Sequence, residues 1–523
     1  LTIRGTQLLK SCSLSLPITS LGHDQPTNYI LDVKAKHVTR LPIEIATTDN
    51  HRWSAEFAPT EAIIVSYKIT NAWKPNCSDM FGMLPFISPS LVLLQASTAL
   101  LYPDPDKFVP NATVAIRWKE LERYRWTSVD SFSETTVDFS LTSPSIAHNS
   151  ILVAGPFRIG GEDGDYVRLC SSVADPLAST ELRDALLSLV KVYEQFFRTT
   201  ERKQVRFGIL RRKTKPATGQ REYAQFAASQ GLLVIIIPER EGNAETNLNS
   251  QQLLALCSKA ILCSMLTPHF ASLRADNLHM SIWEGLVHFY GRRLLYRSGG
   301  IDIDSYVTSL NSSLRTVKAS DLSHLGDEVL AQWVASSRSA FEQVEARGDV
   351  LMMYLEDIGT TLTPRNRSLD DWLRAQRSDQ VSTSSRSASA WLASLLQWFG
   401  SRGGMSIQQS CKGGGGPRPL DTWFNPCLQL TELPIEIPDQ GFSVDTSVLT
   451  GIVSGVSTDS HAFASGLRNG MTVRSVSYEE KVLSMVVCEN GSERSIRMSP
   501  RMSILRIPQF VRRPENSKAC DRL

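Results

Sequence analysis

At 523 residues, with 42% apolar side chains, the chain is long enough for several domains and more than one core. Lys and Arg number 55 against 53 Asp and Glu, a formal charge of +2, and charged residues make up 21% of the chain. That is the balance of an ordinary soluble protein, and it gives no footing for a nucleic-acid or acidic-membrane partner. Nine cysteines (12, 77, 170, 257, 263, 411, 427, 488 and 520) form no C-x-x-C pair, which argues against a disulfide framework or a zinc ribbon but leaves room for one bridge.

The pattern from Leu1 to Phe157 is β. Segments 28–38, 62–70, 112–120 and 135–141 alternate or cluster β-branched and aromatic residues, with Pro, Asn, Asp and Ser between them, as in a β-sandwich-like domain. Residues 179–198 follow as an amphipathic helix with Leu182, Leu186, Leu189, Val190, Tyr193, Phe196 and Phe197 on its apolar stripe. Strands are predicted at 204–210 and 231–238, joined by a basic turn over 211–222. The second of these is the longest apolar run and is far too short to span a bilayer.

Residues 250 to about 375 read as a helical subdomain. Leu253, Cys257, Ile261 and Ser264 recur at helical spacing behind Ser250 as N-cap, and Pro268 predicts a stop near Leu266. A second helix carries Trp283, Leu286, Val287, Tyr290, Leu294 and Leu295 on one face, with Glu284 in its first turn. Beyond it, 377–390 is Ser-rich and 400–419 Gly-rich, the composition of flexible connections. The short helix between them has Trp391, Leu392, Leu395 and Trp398 to dock.

Three longer patterns carry a resemblance. "SIWEGLVHFYGRRLLYRSGGIDIDSYVTSLNSSL" resembles the third-ligand helix of the glycyl aminopeptidase family of gluzincin metallopeptidases, with its W-x-x-E-G-like turn. "ARGDVLMMYLEDIGTTLTPRNRSLDDWLRAQ" resembles that family's next helices. "DQGFSVDTSVLTGIVSGVSTDSHAFASGLRNGMTVRSV" resembles a PDZ domain. The resemblance implies a multidomain α+β protein. Its parts are an N-terminal β domain (1–157), a thermolysin-like, mainly helical domain with a small sheet (158–376), a linker (377–422), a PDZ-like domain (423–510) and a tail (511–523).

The resemblance also places "LCSMLT" where the family has "AHEFFH". Cys263 and Thr267 then replace the two histidine ligands, Ser264 replaces the general-base glutamate, and Glu284 alone survives. Catalytic zinc needs three protein ligands and a nearby carboxylate to take a proton from the bound water. Threonine is a very poor zinc ligand, and serine is no base near neutral pH. Gly231-Leu232-Leu233-Val234 stands where the family has a G-L-E-H-like motif, so a second polar pair is replaced by apolar residues. A rearranged zinc site can be drawn from His279, Glu284 and His288, with His269 in the connecting loop, because Glu284 and His288 share a helix face. No second carboxylate is evident there to act as base.

These readings give a non-catalytic peptidase-like protein without cofactor, acting as a structural or interaction subunit of a multi-subunit complex. Its former cleft would be lined by Cys263, Met265, Leu266, Leu233 and Trp283. The alternatives are a zinc aminopeptidase with rearranged ligands, or a PDZ-based adaptor holding peptide C-termini at Gln440, Gly441 and Phe442. No G-x-S-x-G elbow or P-loop is present, "GGEDGD" (160–165) lacks EF-hand spacing, and 211–221 reads as a solvated hairpin. The chain starts at Leu1 with no secretory apolar region before residue 20, as a processed precursor (an organellar one, for example) or a truncated chain would. Five N-x-S/T sequons begin at Asn76, Asn111, Asn311, Asn366 and Asn490, which on their own say little about secretion.

Overall fold

In the computed structural model, description covers strand segments within 2–160 and then 166–172, 179–198, 205–214, 224–229, 232–240, 249–274 and 277–334. It continues with 337–362, 368–378, 387–412, 427–479 and 482–513, plus a few single residues. Residues 161–165 of the acidic segment, 215–222 of the expected basic turn, and the sequons at Asn76, Asn111 and Asn366 lie outside it, while 211–214 correct that turn by continuing a strand.

The described strands of the first 155 residues pair into small antiparallel sheets. The expected strands are found at Ile30–His37, Ile63–Ile69, Val114–Arg117 and Asp138–Leu141. The last of these sheets pairs Leu91–Gln95 with Ile151–Gly155 and lies against the chain's central sheet.

That central sheet holds β1 (Phe157–Gly160), β2 (Val167–Ser172), β3 (Val205–Thr214), β4 (Gln225–Ser229) and β5 (Leu232–Arg240) in the order β1-β2-β3-β5-β4. β2, β3 and β5 run parallel, and β1 and β4 are antiparallel edges. The short edge strand β4 had no pattern strong enough to be read from sequence. Parallel strands are buried on both faces, which is why "LLVIII" is a continuous apolar run. Leu233, Ile235 and Ile237 enter the main helical core, whereas Leu232, Val234 and Ile236 face the N-terminal sheet.

Helix α1 (Thr180–Phe197) starts where Ser179 accepts a hydrogen bond from the Leu182 amide, and it buries all seven residues of the predicted stripe. Next come α2 (Ser250–Arg274), α3 (Met280–Arg297), α4 (Ile303–Ala319), α5 (Asp327–Val334), α6 (Arg338–Leu362), α7 (Leu369–Ser378) and α8 (Ala388–Lys412). Helix α2 corrects the expected stop near Leu266. It runs on to Arg274, with its break at Phe270 (φ −120°, ψ 21°). Phe270 stacks on Trp391 at 4.2 Å and leans on Trp372 at 5.9 Å, so aromatic packing carries the chain past the proline.

Helix α8 is a second correction, since the Gly-rich segment continues the helix to Lys412 after a kink at Gly400 (φ 69°). Trp391, Leu395, Phe399 and Ile407 of α8 lie in the main core.

The C-terminal part has a two-stranded ribbon of β6 (Leu428–Asp439) and β10 (Arg501–Arg512). Between these come α9 (Val444–Thr450), α10 (His461–Ala464) and a meander of β7 (Thr472–Glu479), β8 (Val482–Glu489) and β9 (Ser492–Met498). The ribbon is tied down at one end. Asn311 of α4 accepts from the Phe510 amide at 2.7 Å and donates to its carbonyl at 2.9 Å, replacing a strand neighbour. A Cys427–Cys520 disulfide closes the same end, and the Cys520 carbonyl accepts from the Tyr296 hydroxyl at 3.0 Å.

Candidate functional site

The region to which the sequence points lies where α3 packs between α2 and α6. The approach of α3 to α6 is set by two glycines. A Cβ on Gly348 would stand 1.8 Å from the Ser281 carbonyl oxygen, and one on Gly285 would stand 2.3 Å from the Gly348 carbonyl carbon. Helices this close bring their polar side chains into the buried seam on either side of the glycine contact.

Those side chains form ion pairs. Lys259 of α2 places Nζ 2.5 Å from Glu345 Oε1, and His288 Nδ1 lies 2.9 Å from Glu345 Oε2. The other ring nitrogen, Nε2, is 3.9 Å from Asp349 Oδ2, and Asp349 itself binds Arg292 through two bonds of 2.7 and 2.8 Å. Burial pushes the Glu345 carboxyl up, but the adjacent His288 and Lys259 outweigh it and hold the group well below the usual range.

Further along α3, Arg293 reaches Asp370 at 2.7 Å and Glu356 at 3.2 Å, and Glu356 accepts the Leu369 amide at 2.6 Å. Burial raises the Glu356 carboxyl. At the start of α3, Asp327 accepts from the Ser281 amide at 3.0 Å and pairs with Arg347 at 3.1 Å. Buried charges persist only when paired in this way.

Cys263 is 4% exposed and belongs to the main apolar core. The Ser264 hydroxyl turns back onto its own helix, donating to the Ile261 carbonyl at 2.8 Å. Thr267 Oγ1 is buried without a hydrogen-bond partner among the described residues. Leu233, Leu266 and Trp283 are buried in the same core, with Met265 packed against it. Cys263, Leu266, Leu233 and Trp283 are therefore interior and Met265 is half-buried beside them, where a less polar former cleft was expected.

Glu284 is half-buried one helical turn before His288, His279 ends the turn leading into α3, and the His269 side chain lies outside the described set. Among the described residues, no three His, Cys, Asp or Glu side chains are grouped so as to hold a metal ion. The donor set also fits zinc poorly. It offers a thiol within an apolar core, a serine bonded to its own helix and a threonine hydroxyl, while His288 is engaged with carboxylates that Lys259 and Arg292 already neutralise.

In the C-terminal module, the Gly441 amide donates to Asp439 Oδ1 at 2.7 Å. Gly441 has φ +75°, and a Cβ there would come within 2.8 Å of Ser460 Cβ, so the loop needs glycine. Gln440 Oε1 is buried without a partner among the described residues. Phe442 is buried in the module's core, and the chain then enters α9 rather than a strand.

Sequence reading did not single out Lys259, Glu345, Asp349 or Arg292. The signal was the facing of two four-residue steps, His288 with Arg292 on α3 and Glu345 with Asp349 on α6. It becomes visible only once those helices are known to be neighbours.

No protein-family model matches the chain, and no curated protein matches it by sequence. Among solved structures it is similar to an aminopeptidase N family protein from Idiomarina loihiensis. That likeness covers 99% of this chain and 96% of the other, with a TM-score of 0.68 at 12% identity. It is also similar to an M1 zinc metallopeptidase from Deinococcus radiodurans at 14% identity, over 80% of this chain and 91% of the other, with a TM-score of 0.47, too low to argue from. The first likeness shows the fold: the chain shares the multidomain α and β architecture of that solved structure. No helix among the described residues is long and apolar enough to cross a membrane.

Proposed function

We propose that this chain keeps a peptidase fold without peptidase chemistry and serves as a structural or interaction subunit of a larger protein assembly. One observation carries the reading. The helix turn that resembles a zinc-binding turn bears Cys263, Ser264 and Thr267, with the cysteine in the apolar core and the serine hydroxyl spent on the Ile261 carbonyl. A hydrolytic zinc site needs an open coordination position and a carboxylate beside it. Lys259, Arg292 and Arg293 neutralise Glu345, Asp349 and Asp370 on the neighbouring helices, which makes those carboxylates poor bases.

Two further features favour assembly over peptide capture. Met502 and Ile504 share one face of β10 and are 57% and 70% exposed, a small apolar surface of the kind that contacts a partner. Strand addition requires a free strand beside the carboxylate-holding loop. The residues after Phe442 form α9, so this loop is not followed by such a strand.

Native-state sizing and cross-linking of the chain from its own cells test the reading. The expected result is migration well above the monomer, with cross-links to other proteins. A monomer that trims peptides from the amino end and is silenced by a chelator would refute it.

A further inference from the structure

We propose that Asn490 is an N-glycosylation site, and that the chain matures in an oxidising compartment. Three observations on separate parts of the molecule lead there.

The first is the hairpin tip. Asn490-Gly491 joins β8 to β9 as a two-residue turn, with Glu489 paired to Ser492 and positive φ at both turn residues (51° and 82°). Asn490, Gly491 and Ser492 are all exposed, so the whole N-G-S sequon projects into solvent. A Cβ on the adjacent Gly491 would meet nothing within 4 Å among the described residues, so a glycan on the exposed Asn490 side chain would extend outward from the tip.

The second is the contrast with Asn311. Its sequon is equally good as sequence, yet both ends of its amide are bonded to the Phe510 backbone where the ribbon meets α4. A sugar on that nitrogen would displace the ribbon, so the fold tolerates modification at 490 and opposes it at 311.

The third is the state of the cysteines. Cys427 and Cys520 are bridged across a sequence separation of 93. Structural bridges of this kind persist where the surroundings are oxidising. Of the free thiols among the described side chains, Cys170, Cys257, Cys263 and Cys411 are buried and Cys488 is half-buried. Burial pushes the thiol of Cys170 up to about 11, and those of Cys257 and Cys411 up to about 12, which keeps them from exchanging with a disulfide.

In the transfer, Asn490 Nδ2 bonds to the anomeric carbon of an oligosaccharide carried on a lipid diphosphate. The sugar–phosphate C–O bond breaks, the lipid diphosphate leaves, and the amide gives up one proton. The bridge forms when two thiols pass two electrons to a disulfide-bearing oxidant of the same compartment and release two protons.

The test uses the full chain from its own cells, with free thiols alkylated before lysis. Peptides are mapped without reduction and treated with a glycosidase that converts a glycosylated Asn to Asp in heavy-oxygen water. We expect a 427–520 cross-linked peptide and labelled Asp at 490 well above the spontaneous Asn-Gly deamidation seen without the glycosidase, with Asn311 unlabelled. In the same cells, a tagged Ser492→Ala chain keeps the Asn-Gly turn and should run one glycan step faster, as should Asn490→Gln. An Asn490 peptide recovered as unmodified Asn overturns the proposal even if the bridge is present, because an oxidising compartment without glycan transfer would give that result. Alkylated Cys427 and Cys520 overturn it as well.

Discussion

Replacing Glu345 by Gln removes one negative charge from a site where its carboxylate lies 2.5 Å from Lys259 Nζ and 2.9 Å from His288 Nδ1. The shape hardly changes, so the cost is electrostatic. Side-chain exposures are 13% for Glu345, 20% for Lys259 and 16% for His288, too low for water to replace the lost partner in full. Breaking one side of a buried pair costs about 3–5 kcal/mol, and the amide oxygen can still accept from Lys259, so about 2–4 kcal/mol is expected here. For a core of this size that is a fall in Tm of roughly 5–15 °C. The pH dependence gives a sharper check. The folded-state carboxyl is held below its ordinary range, so its stabilisation is complete above the unfolded pKa, near 4.5, and fades as acid protonates the native pair. The gap between wild type and Glu345→Gln, followed by thermal or denaturant unfolding, should therefore be widest at neutral pH and narrow below about pH 4.5. A gap under about 1 kcal/mol, or one unchanged by acid, would refute the assignment of Glu345 as the shared counter-ion of α2 and α3.

Four other outcomes follow from the packing and the disulfide. Gly348→Ala should cost at least about 3 kcal/mol in denaturant unfolding, because its Cβ meets the backbone of Ser281 and Gly285. Gly291→Ala, whose Cβ would meet Lys259 Cγ at 3.2 Å and the Lys259 backbone only at 3.5 Å, should cost less, about 1–2 kcal/mol. Asp445, beside Asp321 where α9 docks, is pushed up to about 6 by burial and by that second carboxylate. Its folded pKa lies above the unfolded one, so docking is strongest below about pH 4 and weakens as pH rises through 6. Asp445→Asn should stabilise the docked α9 by about 1–3 kcal/mol at pH 7.5 and flatten that profile, read by hydrogen exchange at α9 against pH. Cys520→Ser opens the bridge across 93 residues and should lower stability by about 2–5 kcal/mol, with reductant producing the same shift in wild type only.

Much of the fold can be read from residues alone where one periodicity dominates. The stripe of α1 and the doubly buried strand β5 are set by local pattern and come through intact. Reading fails where a distant contact overrules a local rule. Pro268 ought to end α2, but the stacking of Phe270 on Trp391 lies more than a hundred residues away in the chain. The Gly-rich stretch in α8 ought to be loose, but Ile407 is drawn into the main core. The ion pairs between α3 and α6 are invisible for the same reason, because each charged residue looks like a surface residue until its partner helix is placed. The bridge could be allowed for from sequence but not assigned, since nothing local links Cys427 to Cys520.

The turn bearing Cys263, Ser264 and Thr267 is expected to hold no catalytic metal, and elemental analysis of the native chain tests that expectation directly. Purified without chelator and dialysed against zinc-free buffer, the chain should hold well under one zinc and show no chelator-sensitive turnover of aminoacyl amides. Close to one tightly held zinc per chain, with chelator-sensitive release of amino-terminal residues, would contradict the account.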